Sequence, residues 1–181
     1  ITIRHLMTHT SGLSYGVFDP GSVQFAAYNK LGVSDPTKPL ADMIKALSAL
    51  PLSFHPGTQW EYSVATDVLA RLLEVVSGKS FGEVLSSRIF EPLGMVDTDF
   101  WVPEAKRDRL CALYAGASLL DPSKPGLTRL DDKPYPGAYT RKMPRESGGA
   151  GLVSTLGDMV RLLQSLIPGG PTLLKAQSIE L

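Results

Sequence analysis

The chain has 181 residues, 43% of them hydrophobic and 20% charged, a balance that supports one domain with a buried core. Eighteen basic residues offset eighteen acidic ones, so no net charge steers the surface toward nucleic acid or an anionic membrane. There is no apolar run of membrane-spanning length, and the single Cys111 excludes an internal disulfide and a thiolate metal cluster while being compatible with a reducing, cytoplasmic compartment.

In chain order, residues 2–9 read as a short helix capped by Thr2, with Gly12 as its stop. Residues 14–21 are a Gly/Pro-containing loop. Ser22 caps a helix over 22–31 that Gly32 ends. A further helix over 40–50 is stopped by Pro51, and His55-Pro56-Gly57 is a turn. Val64, Val68, Leu69, Leu72, Leu73 and Val76 then share one face at helical spacing, and Gly78 ends that helix. Ser80 and Glu83 form a capping box for a helix to about Phe90, which Pro92 and Gly94 break. Short strands are expected near 97–102 and 109–115. Residues 116–146 read as a long surface excursion. Thr155 and Asp158 cap a last helix over about 156–166. The chain opens without Met and closes inside an apolar, helix-like pattern, so both ends are expected to continue in a longer protein.

Four groups of residues are candidates for chemistry. Gly12-Leu13-Ser14-Tyr15-Gly16 matches G-x-S-x-G, but a nucleophile elbow needs a strand before it and a helix after it. Here a helix precedes Ser14, a loop follows, and His55 is the one histidine downstream, so a Gly-rich turn is the better reading. His5 and His9 stand four apart, as zinc ligands on one helix face do. Residue 6 is Leu rather than the general-base Glu of H-E-x-x-H, and no cluster supplies the remaining ligands, so no metal is expected. Tyr62 precedes the helix beginning at 64, at a terminus that favours negative charge. A phenol needs a neighbouring cation to act as a base near neutral pH, and no Lys or Arg stands between Tyr62 and Arg71. On spacing alone an aromatic anchor packing beside Trp60 at a helix start is the better reading. Gly148, Gly149 and Gly151 permit close backbone approach but lack phosphate-loop spacing, which favours a tight turn packed into the core.

Together these pieces resemble a family. His5-Leu6-Met7-Thr8-His9-Thr10-Ser11-Gly12-Leu13 is similar to the L-L-T-H-T-S-G-L run of the serine β-lactamase-like superfamily. Pro56-Gly57 with Tyr62-Ser63 resembles its P-G-x-x-(W/F)-x-Y-S segment, and Pro92-Leu93-Gly94-Met95 its P-L-G-M. Gly148-Gly149-Ala150-Gly151-Leu152-Val153-Ser154-Thr155 with Asp158 resembles G-G-x-G-L-x-S-T-x-x-D. The nearest resemblance is to family VIII carboxylesterases and related acyltransferases, with class C β-lactamases and D-Ala-D-Ala carboxypeptidases further off. Class C enzymes carry Y-x-N where this chain reads Tyr62-Ser63-Val64, and Trp60 is also esterase-like.

The resemblance implies an α+β fold. The chain would be a mostly helical internal section, the helical lobe plus part of the α/β domain, of a β-lactamase/DD-peptidase-like structure. It implies a serine esterase with a Ser-Lys-Tyr centre, working through an acyl-serine on a small ester or acyl substrate, with no metal or organic cofactor. Tyr62 takes the Tyr role, and Tyr15 corresponds to a substrate-binding aromatic of the pocket wall. No Lys in this chain has Ser three positions before it. The nucleophile and its Lys are therefore expected upstream of Ile1, and the closing strands downstream of Leu181. Residues 1–181 would form one partial domain, inactive alone. An acyltransferase, a β-lactamase or carboxypeptidase, and a non-catalytic binding paralogue are the alternatives.

Overall fold

The computed structural model describes residues 1–17, 20–118, 121, 123–130, 137, 139–171 and 173–179. They fall into two compact units, Ile1–Pro92 with Pro144–Ala150, and Leu93–Met143 with Gly151–Leu181.

The first unit is helical. Helix α1 spans Ile3–Met7. Thr2 accepts from the His5 N–H, and the His5 ring accepts from the Thr2 N–H in return, a capping box closed by histidine. The helix is shorter than the sequence predicts. Thr8 caps its C-terminus and His9 turns left-handed at φ 53°, so the stop lies three residues before Gly12. Helix α2, Val23–Leu31, runs from the Ser22 cap to Gly32, whose φ of 63° ends it as expected. Helix α3, Leu40–Ser48, buries Leu40, Met43 and Leu47.

Helix α4, Ala65–Ser77, ends at left-handed Gly78. Its buried face differs from the predicted apolar stripe. Val64 is buried, but Leu73 and Val76 are exposed, while Ala65, Asp67 and Ala70 face inward. The cause is close approach of residues 144–150. A Cβ on Gly148 would stand 2.2 Å from the Thr66 carbonyl oxygen and 3.0 Å from the Ala70 Cβ, so this side of α4 takes only small or hydrogen-bonding residues.

Helix α5, Phe81–Leu85, starts at the predicted Ser80–Glu83 capping box. It continues as a π-helical turn, Ser86–Phe90, into α6, Glu91–Leu93. Pro92 thus lies inside the helix, and left-handed Gly94 (φ 66°) follows α6. Proline clashes with the carbonyl four residues back in a regular α-helix, and the wider π turn relieves that clash. The end of the predicted surface excursion is also buried. Arg145 donates to the Val33 and Lys38 carbonyls at 2.6 and 3.0 Å, and Glu146 accepts from the Gly82 N–H at 2.6 Å. These charge-assisted bonds fasten residues 144–150 to both the entry of α3 and the start of α5.

In the second unit the strand expected over 97–102 reduces to one antiparallel bridge, Asp99 with Val153. A 3-10 helix, Glu104–Arg109, takes the chain out of strand geometry. The expected strand over 109–115 survives as β1, Tyr114–Gly116, antiparallel to β2, Leu127–Arg129, which lies in the predicted excursion. Helix α7, Leu156–Gln164, starts at the Thr155 cap, and a short α8 spans Ala176–Ile179. Buried Asp158 accepts from the Asp97 N–H at 2.8 Å and the Thr98 hydroxyl at 2.9 Å. Asp97 in turn pairs with Lys106 at 2.7 Å and Arg109 at 2.8 Å. Hydrogen bonds from Arg109 and Lys106 hold its carboxyl at about 2. A hollow of about 260 Å³ opens beside Asp97, Val102, Lys106, Cys111 and Ser154. Among the described residues, no helix is long and apolar enough to cross a membrane.

Candidate active site

Tyr15 is set in place from α2. The Ser14 N–H donates to the Tyr28 hydroxyl at 3.1 Å, and the Asn29 amide donates to the Gly16 carbonyl at 3.1 Å, so the backbone is held on both sides of Tyr15. A Cβ on left-handed Gly16 would stand 2.6 Å from the Tyr28 Cβ, which is why glycine occupies that position.

Tyr62 stands in the irregular segment that leads into α4. The Glu61 N–H donates to the His9 carbonyl at 3.0 Å. The Ser63 N–H donates to His9 Nδ1 at 3.3 Å, and the Ser63 hydroxyl lies 3.2 Å from the same nitrogen. The Tyr62 ring stacks on Tyr15 with centroids 5.4 Å apart and planes within 6°. It also meets the His9 ring at 5.0 Å and 40°, and Trp60 meets His9 edge-on at 6.2 Å. Tyr62 remains 45% exposed, a phenol held in place yet open to a ligand.

Below this aromatic group lies a buried carboxylate. Asp67 is 4% exposed and accepts from the Ser147 hydroxyl at 2.5 Å and from the Gly148 N–H at 3.1 Å, both on Oδ1. The Gly149 N–H donates to Ser147 Oγ at 3.1 Å. A Cβ on Gly149 would stand 3.6 Å from the Tyr15 hydroxyl and 3.3 Å from Asp67 Oδ2. Burial first, then the Asp67 and Tyr62 charges, raise the Tyr15 hydroxyl above the ordinary phenol range, so it stays protonated at neutral pH.

Tyr15 and Tyr62, the two residues singled out by resemblance, therefore touch. Ser14 does not sit on a strand–turn–helix elbow: α1 precedes it, and its N–H and carbonyl are tied to Tyr28 and Val64. His5 and His9 do not share a helix face, because α1 ends at Met7; each ring nitrogen facing the backbone is engaged there. The glycine cluster meets α4 as a packed turn. Sequence reasoning passed over Asp67, Ser147 and the part played by His9. Asp67 lies in the first turn of α4, where nothing nearby in the sequence marks its bond to Ser147, and the T-H-T-S-G run contains His9 without showing what it touches.

The whole chain, residues 1–181, matches the family model described as Beta-lactamase. The chain belongs to this family. It is 34% identical over 185 residues to esterase EstB of Burkholderia gladioli, covering 92% of this chain and 44% of that protein. It is 33% identical over 180 residues to the lovastatin esterase of Penicillium rubens, covering 99% of this chain and 43% of that protein. Among solved structures, EstCE1, described as a hydrolase with promiscuous acyltransferase activity, superposes with a TM-score of 0.79 at 27% identity, covering 100% of this chain and 49% of that one. This chain spans less than half the length of each of the three. Its fold is α+β, a mostly helical section of a β-lactamase-like structure.

Proposed function

We propose that residues 1–181 are the section of a serine esterase that contributes the tyrosine of a Ser-Lys-Tyr centre, and that the intact protein acts on small esters. The observation that carries this reading is Tyr62: a half-exposed phenol, gripped by its backbone neighbours and stacked on Tyr15, in a chain whose relatives are named esterases.

The nucleophilic Ser and its Lys come from sequence outside residues 1–181. The Lys cation favours the Tyr62 phenolate. Tyr62 Oη takes the proton from the Ser hydroxyl as Ser Oγ bonds to the ester carbonyl carbon. The tetrahedral intermediate collapses with cleavage of the C–O bond to the alcohol, and Tyr62 returns the proton to the leaving oxygen. Water, or a second alcohol, then attacks the acyl-serine. Tyr62 accepts its proton and passes it to Ser Oγ as the acyl–Ser bond breaks. Tyr15, kept neutral, forms an uncharged wall against which the acyl or alcohol group packs.

Esters are favoured over β-lactams by Val64. It is buried at the start of α4 and offers no amide where the Y-x-N pattern places one. The description of EstCE1 supports acyl transfer as a second outcome of the same acyl-enzyme. Rates with water against added alcohol as acceptor separate the two. The 181-residue chain alone is expected to turn over no p-nitrophenyl acetate. Turnover abolished by Ser14→Ala would replace this reading with one built on the G-x-S-x-G serine.

A further inference from the structure

We infer that His9 is the residue that positions Tyr62, and that it does so as a neutral imidazole carrying its proton on Nε2. The inference rests on the reading of Tyr62 as the proton carrier.

His9 is the one non-glycine residue with positive φ among the described residues. Left-handed backbone disfavours a side chain with a Cβ, so surrounding contacts must hold it there. Those contacts converge on Tyr62. The His9 carbonyl accepts from residue 61 and the His9 ring accepts from residue 63, so one residue fixes the backbone on either side of the tyrosine. The imidazole also meets the Tyr62 ring at 5.0 Å. Flanking bonds keep this register: the Thr10 carbonyl accepts from the Gly57 N–H and the Gly12 carbonyl from the Ser53 N–H, both at 2.8 Å. A turn at Gly12, where the sequence places it, would not deliver a ring to residue 63.

The donor at Nδ1 decides the tautomer. The Ser63 backbone nitrogen has no lone pair to offer, so Nδ1 must present one, and the proton lies on Nε2. With Nδ1 unprotonated, the Ser63 hydroxyl, 3.2 Å away, is the donor to the same nitrogen. An imidazolium would set N–H against N–H and release residue 63.

The test uses the full-length protein with p-nitrophenyl acetate. His9→Gly keeps the left-handed turn and removes the acceptor and the ring. It is expected to lower kcat on the order of a hundredfold, the cost of a small displacement of a reacting group, with KM little changed. His9→Asn places an amide oxygen near the Nδ1 position and tolerates left-handed backbone. It is expected to recover most of the kcat lost in His9→Gly. Long-range 15N–1H correlation on the wild-type protein, which needs no variant to fold, is expected to show His9 as the Nε2–H tautomer at neutral pH. An Nδ1–H or doubly protonated ring overturns the inference, as does a kcat in His9→Gly equal to wild type. Tyr62→Phe runs alongside. Lost turnover there with normal kcat in His9→Gly sinks the His9 inference alone, whereas normal turnover in Tyr62→Phe sinks the reading beneath it.

Discussion

The rings of Tyr15 and Tyr62 lie parallel within 6°, their centroids 5.4 Å apart, although 46 residues separate them in the chain. The stack restricts the ring of the phenol that we propose carries the proton. An aromatic pair of this kind contributes about 0.5–1.5 kcal/mol beyond its buried area. Tyr15→Ala in the full-length protein is therefore expected to lower kcat/KM about tenfold, which corresponds to about 1.4 kcal/mol. Tyr15→Phe keeps the stack and should lose less. Equal losses in the two would mean that the Tyr15 hydroxyl, not its ring, matters.

The same hydroxyl has a measurable titration. Burial, Asp67 and Tyr62 all raise it above 10.0, in that order. A group whose folded value is raised stabilises the fold below its unfolded value and ceases to do so as pH climbs through the folded one. Absorbance near 295 nm should thus show Tyr15 ionising later than a free phenol, with stability falling over that alkaline range. Asp67→Asn removes the second cause and leaves the first, so the midpoint should move down but stay above 10.0.

Asp67 also anchors the glycine turn. Truncation to Ala leaves the Ser147 hydroxyl and the Gly148 N–H without their acceptor in a buried place. The expected cost is about 1–3 kcal/mol, seen as a lower urea midpoint at unchanged slope. Asp67→Asn retains an acceptor oxygen and should cost less. An unchanged midpoint in Asp67→Ala would show that the turn is held by its glycine packing alone.

Asp97 sets a pH dependence in the second unit. Its carboxyl is lowered from 3.8 to about 2 by hydrogen bonds from Arg109 and Lys106. A depressed folded value stabilises above the unfolded one and is lost as pH falls, here between 3.8 and about 2. Asp97→Asn should flatten the stability profile across that window. Because its partners Lys106 and Arg109 are 40% and 54% exposed, added salt should weaken the wild-type effect.

Helix starts were legible because their signals are local. Thr2, Ser22, Ser80 and Thr155 each place an oxygen on an N–H three residues on, a pattern visible in four letters. Gly32 and Gly78 mark ends for the same reason. The buried side of α4 was not legible, because Gly148, far along the chain, decides which side chains fit there. Pro92 was misread as a break because the π turn that accommodates it leaves no sequence mark. At the site, the motifs named Tyr15 and Tyr62. The His9–Ser63 and Asp67–Ser147 bonds span 54 and 80 residues, and no periodicity reaches so far.

The central claim is that Tyr62 moves the proton, and Tyr62→Phe in the full-length protein tests it most directly. The substitution keeps the ring that stacks on Tyr15 and removes only the hydroxyl. Steady-state and burst kinetics with p-nitrophenyl acetate should show deacylation reduced about 10²–10⁴-fold, with folding unchanged. Turnover close to that of the wild-type protein would contradict the claim.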